Sequence, residues 1–122
     1  MKYLLVVGSR TFSNYTLLEQ KLNMEIGNRK DICIVSGEAK GADLLAKQYA
    51  KLKNIGYEGF PAQWNIYGKS AGYKRNEVMH QFIAGHEERK VIAFWDGKSR
   101  GTAHNFDLCK KYVNELEVIM TY

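Results

Sequence analysis

Five short runs rich in Leu, Val, Ile and Phe alternate along the chain with four stretches of helical period, and this alternation is the tightest constraint on its fold. Lys2–Val7 reads as a strand ended by Gly8. Ser13 or Asn14 caps a helix whose apolar face uses Leu18, Leu22 and Ile26. Asp31–Val35 is a second strand, closed by Ser36-Gly37. A helix over Ala42–Asn54 presents Ala42, Leu45, Tyr49 and Leu52, with Gly56 as its stop. Tyr57–Phe60 is a weaker third strand ended by Pro61, and a long irregular stretch, Ala62–Gly72, follows. Tyr73–Ala84 reads as a helix with Val78, Met79, Phe82 and Ile83 inward, and Lys90–Trp95 is the clearest strand. After a tight loop, a helix over Thr102–Asn114 uses Ala103, Phe106, Cys109 and Val113, and Leu116–Met120 forms the last strand. Helices of this length between strands imply βαβ crossovers. The expected fold is α/β: a Rossmann-like, doubly wound parallel sheet of about five strands, order 3-2-1-4-5, with helices on both faces. In that order the sheet reverses between strands one and four, which opens a crevice above their C-terminal ends.

The chain has 122 residues, a length that fits one domain over residues 1–122. No apolar run approaches the roughly 18 residues of a membrane span, and no membrane partner is expected. The apolar N-terminus is too short for a signal peptide and has Arg10 where a small-residue cleavage site would lie, so a cytoplasmic location is expected. Cys33 and Cys109 share no CxxC spacing and no histidine cluster, and they read as buried small hydrophobes. His80, His86 and His104 share no metal-ligand spacing, so neither a metal nor a cofactor is expected.

The loops that leave the C-terminal strand ends have an unusual composition. They carry Gly8-Ser9-Arg10-Thr11, Ser36-Gly37-Glu38-Ala39-Lys40-Gly41-Ala42-Asp43, a segment with Lys69, Ser70, Gly72, Lys74, Arg75 and Asn76, and Asp96-Gly97-Lys98-Ser99-Arg100-Gly101-Thr102. Residues 8–13, 36–43, 61–77 and 96–101 hold seven basic and four acidic side chains, so +3 of the chain's +5 net charge lies on one rim of the sheet. Small residues let backbone N–H groups approach a ligand, and helix N-termini add partial positive charge. Glycine, hydroxyl and guanidinium together suit a phosphate or phosphoribosyl group. Each piece also has a structural use. The glycines turn the chain, Ser9 and Thr102 serve as caps, Asp43 complements a helix dipole, and Lys74 and Arg75 fit a solvated helix face. Trp64 offers a stacking surface, whereas Trp95 ends an apolar strand and reads as core.

Gly8-Ser9-Arg10, Ser36-Gly37-x-Ala39-x-Gly41-Ala42-Asp43, Ala71-Gly72-x-x-Arg75-Asn76 and Ser99-Arg100-Gly101-Thr102, in that order from Lys2 to about Cys109, resemble the YspA/YpsA-like branch of the SLOG superfamily. That superfamily includes the Smf/DprA DNA-processing proteins and the LOG cytokinin-activating enzymes. The resemblance implies a nucleotide-binding domain and self-association. Against the LOG enzymes, which hydrolyse the N-glycosidic bond of nucleoside monophosphates, Arg75 aligns with an arginine that holds phosphate or ribose, and Gly101-Thr102 with their GT pair. The glutamate position, three after Thr102, is Asn105, which cannot act as a carboxylate. The branch often has two glycines where this chain has Gly37-Glu38, and Arg where it has Lys40.

Three functions stay open. The first is binding of a nucleotide or an NAD/ADP-ribose-derived molecule, as a sensor, carrier or sequestering protein. Its expected site is Gly8, Ser9, Arg10, Ser36, Gly37, Lys40, Gly41, Asp43, Arg75, Asn76, Asp96, Ser99, Arg100, Gly101 and Thr102. The second is LOG-like N-glycosidase activity, with Asp43 or Glu38 as the catalytic carboxylate. The third, ranked last, is single-stranded DNA binding, for which Trp64, Tyr67 and Tyr73 lie among basic residues.

Overall fold

The computed structural model describes residues 1–121. Its elements run β1 (Lys2–Gly8), α1 (Tyr15–Ile26), β2 (Ile32–Ser36), α2 (Ala42–Lys53), β3 (Gly56–Gly59), α3 (Trp64–Tyr67), a 3-10 turn (Gly68–Ser70), α4 (Ala71–Ala84), β4 (Glu88–Trp95), α5 (Arg100–Tyr112) and β5 (Leu116–Met120). All four strand pairings are parallel, and the order is β3-β2-β1-β4-β5, the one expected. Side chains alternate across each strand, so the sheet buries two faces. Leu4, Val6, Ile34, Ile92 and Phe94 pack on Leu18 and Leu22 of α1 and Ala46 and Tyr49 of α2. Leu5, Val7, Val35, Val91 and Ala93 pack on Met79 and Ile83 of α4 and Cys109 of α5.

Several boundaries differ from the sequence reading. The stretch expected to be irregular contains the single turn α3, and α4 begins at Ala71. β4 starts two residues early, because Glu88 and Arg89 continue the ladder opposite Lys2 and Tyr3. Three residues assigned to apolar faces are instead on the surface: Leu52 at 64% exposure, Val78 at 48% and Val113 at 80%. Val113 has left its helix and is the left-handed C-cap of α5, with φ 55°. On α4 the inward positions beside Met79 and Ile83 are Asn76 and His80, so the buried face of that helix is partly polar. Asn14, not Ser13, caps α1, accepting a hydrogen bond from the Leu17 N–H at 3.0 Å.

Candidate functional site

The turn after β1 meets the turn after β4 where the sheet changes direction. The Ser9 N–H donates to the Phe94 carbonyl at 3.0 Å, and the Asp96 N–H donates to Ser9 Oγ at 3.2 Å. Ser9 is therefore a buried clasp between two loops. The start of α2 lies against the same turn because glycines leave it room. A Cβ on Gly8 would come within 2.7 Å of the Phe94 carbonyl oxygen, and one on Gly41 would run into the Ser9 carbonyl. Gly41 also has φ 86°, a conformation that L side chains rarely adopt.

Above these turns lies a cleft of about 400 Å³. Gly8, Ser9, Arg10, Asp43, Arg75, Asn76, Asp96, Ser99, Gly101 and Thr102 all line it, so ten of the residues singled out from sequence share one wall system. Trp64, Lys69, Tyr73, Met79 and Asn105 also line it, together with Val7, Thr11, Ala39 and Gly72. Ser36, Gly37, Glu38, Lys40, Gly41 and Arg100 do not line it. Ser36 is fully buried and its hydroxyl donates to the Asp43 carbonyl at 2.9 Å. Gly37, Glu38 and Lys40 border an adjoining hollow, Gly41 packs on the β1 turn, and Arg100 is exposed on the first turn of α5.

Arg75 is the best-connected side chain of the cleft. Its Nη1 donates to the Gly37 carbonyl after β2, and its Nε donates to Asn76 Oδ1 at 2.9 Å. Asn76 Nδ2 in turn donates to the Gly101 carbonyl at 3.4 Å and to His104 Nδ1 at 3.3 Å, reaching the start of α5. One Arg-Asn pair thus ties together the loops after β2 and β4. The partners of Arg75 are neutral, and no described carboxylate forms an ion pair with it, with Arg10 or with Lys69. It is no solvated helix face. Burial lowers its pKa from the ordinary arginine value, Asp43 offsets part of this, and Arg10 adds to it.

Asp43 is the buried carboxylate of the cleft. Its Oδ2 accepts from the Ala39 N–H at 3.3 Å, so it closes the loop that precedes its own helix. Burial pushes its pKa up to about 6, against the pull of Arg75, of the Ala39 and Gly37 N–H groups and of Arg10. The second carboxylate, Asp96, is held by the Lys98 and Ser99 N–H groups at 2.9 and 2.8 Å, which lower its pKa. Ser99, rather than Thr102, is the helix cap there.

Glu38 is turned out of the cleft. Its carboxylate pairs with Lys47 at 3.3 Å and accepts from Tyr57 Oη at 3.3 Å, and Glu38 is not among the residues that line the cleft. The backbone of Glu38 has φ 59°, a left-handed conformation that suits glycine better than a side chain. Of the two carboxylates expected to be catalytic, Asp43 lines the cleft and Glu38 borders the adjoining hollow.

Asn105, on the cleft floor, belongs to a network that the sequence reading missed. Its Nδ2 donates to the Gly101 carbonyl at 3.0 Å. Its Oδ1 lies 3.0 Å from His80 Nε2, and Asn114 Nδ2 lies 3.1 Å from His80 Nδ1. Arg89 Nε donates to Asn114 Oδ1 at 2.6 Å, which leaves the Asn114 amide to donate to Nδ1 and makes Nε2 the protonated nitrogen of His80. Burial lowers the His80 pKa to about 4, so the ring is neutral near pH 7. The legible trace is the four-residue step from Asn76 to His80 on one helix face. Among the described residues no group of His, Cys, Asp and Glu could hold a metal, and no helix is long and apolar enough to cross a membrane.

A family model described as "YspA, cpYpsA-related SLOG family" matches residues 3–67. The structure is similar to that of DNA processing protein A from Streptococcus pneumoniae, with TM-score 0.70 and 19% identity over 100% of this chain and 51% of that one. It is also similar to DNA processing protein A from Helicobacter pylori, described for its single-stranded DNA binding mode, with TM-score 0.69 and 21% identity over 99% of this chain and 66% of that one. The chain therefore spans about half of the first relative and just under two-thirds of the second. No curated protein sequence matches it.

Proposed function

The chain belongs to the YspA, cpYpsA-related SLOG family, and from that premise we propose that it binds a nucleotide or an NAD/ADP-ribose-derived molecule in the cleft at the C-terminal edge of the sheet. The observation that carries this reading is Arg75, a half-buried cation fixed by two neutral acceptors, with no carboxylate in ion-pair contact and with Asp43 offsetting its burial only in part. Holding a guanidinium so costs desolvation energy that an anionic ligand would recover. Arg10 and Lys69 add positive charge, Thr102 and the first turn of α5 add donors, and Asp43 offers an acceptor for a ribose hydroxyl. Binding is favoured over glycosidic hydrolysis because Asn105 spends both ends of its amide on Gly101 and His80, and Glu38 faces away. Asp43 is then the remaining candidate acid-base group, and release of free base from adenosine monophosphate, lost in Asp43→Asn, would move the reading to hydrolysis.

Isothermal titration with adenosine monophosphate, adenosine diphosphate, adenosine diphosphate ribose and NAD tests the proposal. At least one should bind, and Arg75→Ala should weaken it tenfold or more, about 1.4 kcal/mol. Flat traces for all four would end it. A second reading, single-stranded nucleic acid, is favoured by the exposed rings of Trp64, Tyr67 and Tyr73, with Arg10 over Trp64 at 6.0 Å and Lys74 over Tyr67 at 5.0 Å. It predicts oligonucleotide binding that falls steeply with salt, beside flat nucleotide traces.

A further inference from the structure

The cleft does not end at Arg10 and Trp64. Beyond them is a second hollow of about 330 Å³, on the β2-β3 side of the site. Four residues, Arg10, Ala39, Trp64 and Arg75, line both spaces, so the two guanidinium groups stand at the junction. The two spaces have different walls. The first is rich in polar groups suited to a sugar and base: Asp43, Asn76, Asp96, Ser99 and Thr102. The second has apolar lining in Pro61, Ala62 and the half-exposed Trp64 ring, and Lys40 also borders it. The one acid bordering the second space, Glu38, is neutralised by Lys47 and does not oppose an anion. Lys40 forms no ion pair with a described carboxylate and is exposed. A third hollow, under Tyr67, shares only Arg75 with the first and lacks that junction.

We infer that the site takes a two-part ligand, a nucleoside joined through a diphosphate to a second ring unit, in preference to a mononucleotide. This rests on the nucleotide-binding reading above. The nucleoside occupies the polar space, the diphosphate lies between Arg10 and Arg75, and the second ring lies on the Pro61–Ala62–Trp64 wall near Lys40. Either space alone is near the lower end of the roughly 300–1,000 Å³ typical of ligand pockets, and the pair reaches well into that range. A monophosphate would leave the second space and Lys40 unused.

Titration calorimetry with adenosine monophosphate, adenosine diphosphate and adenosine diphosphate ribose separates the terms, because the last two share the diphosphate and only the last carries a second ring. Adenosine diphosphate ribose should bind at least tenfold more tightly than the monophosphate and more tightly than the diphosphate. Ala62→Trp, which fills the second space, should collapse that advantage to threefold or less with the melting temperature retained; if this variant does not fold, Lys40→Glu, on the exposed side of the same space, replaces it. A two-part ligand that binds no more tightly than the monophosphate or the diphosphate, or an advantage that survives the blocking variant, would overturn the inference and leave nucleotide binding intact. Silence from all three ligands would remove the nucleotide reading and the inference with it.

Discussion

The chemistry of the site is concentrated in a few side chains whose burial conflicts with their charge. Asp43 is one. Its folded-state pKa of about 6 lies above the ordinary value of 3.8, so its contribution favours the fold below pH 4 and is lost as pH rises through 6. With Asp43 ionised the cost to the fold is of order 3 kcal/mol. Asp43→Asn should therefore be the more stable protein at pH 7.5, and its margin over the parent should shrink as pH falls from 6 to 4. Urea denaturation of both proteins across that range reads the difference directly; parallel curves would show that Asp43 is not held in this way. Such a cost at a cleft wall is the pattern expected where ligand contact, not stability, sets the residue. Asp43 could be named from sequence because it follows Gly41-Ala42 at a helix start. Its burial could not, since the Ser36 and Ala39 contacts that enclose it form only when the loop closes. His80 and Asn105 were illegible as a pair for the same reason. They are 25 positions apart and meet only because α4 and α5 pack side by side.

The strands were readable to within two residues, because two-sided burial demands unbroken apolar runs and little else produces them. Helix faces were less readable. Leu52 and Val78 fit an apolar period, yet the buried face of α2 is built from Ala42, Asp43, Ala46, Tyr49 and Ala50, and that of α4 includes Asn76 and His80. Helix ends carried a comparable ambiguity. Val113 prolongs the apolar period of α5, while the chain in fact reverses there into a left-handed cap whose N–H donates to the Cys109 carbonyl. A β-branched side chain is disfavoured in that conformation, and this one is mostly solvent-exposed. Val113→Gly should stabilise the protein by about 1 kcal/mol, measured as a higher urea midpoint at unchanged slope. Loss of stability would mean that the Val113 side chain holds a contact outweighing its backbone cost.

At the scale of the molecule, the order β3-β2-β1-β4-β5 does most of the work. It sends four loops to one edge of the sheet, and residues from 7 to 105 then line one cleft. That convergence followed from strand alternation before any side chain was placed. What did not follow was the finer division of the rim: Glu38 neighbours Gly37 and Arg100 neighbours Gly101, yet neither lines the cleft, since Glu38 has a positive φ and pairs with Lys47 while Arg100 is exposed at the start of α5. Charge counted along a loop therefore overstates charge delivered to a site. The proposed binding rests on Arg75, which the converging loops fix in place and leave open to an anion. It is tested most directly by calorimetric titration of adenosine diphosphate ribose into the parent protein and into Arg75→Ala, with melting curves to verify that the variant is folded. Saturable binding by the parent, weakened at least tenfold in the folded variant, is the predicted result; equal binding by the two proteins would contradict it.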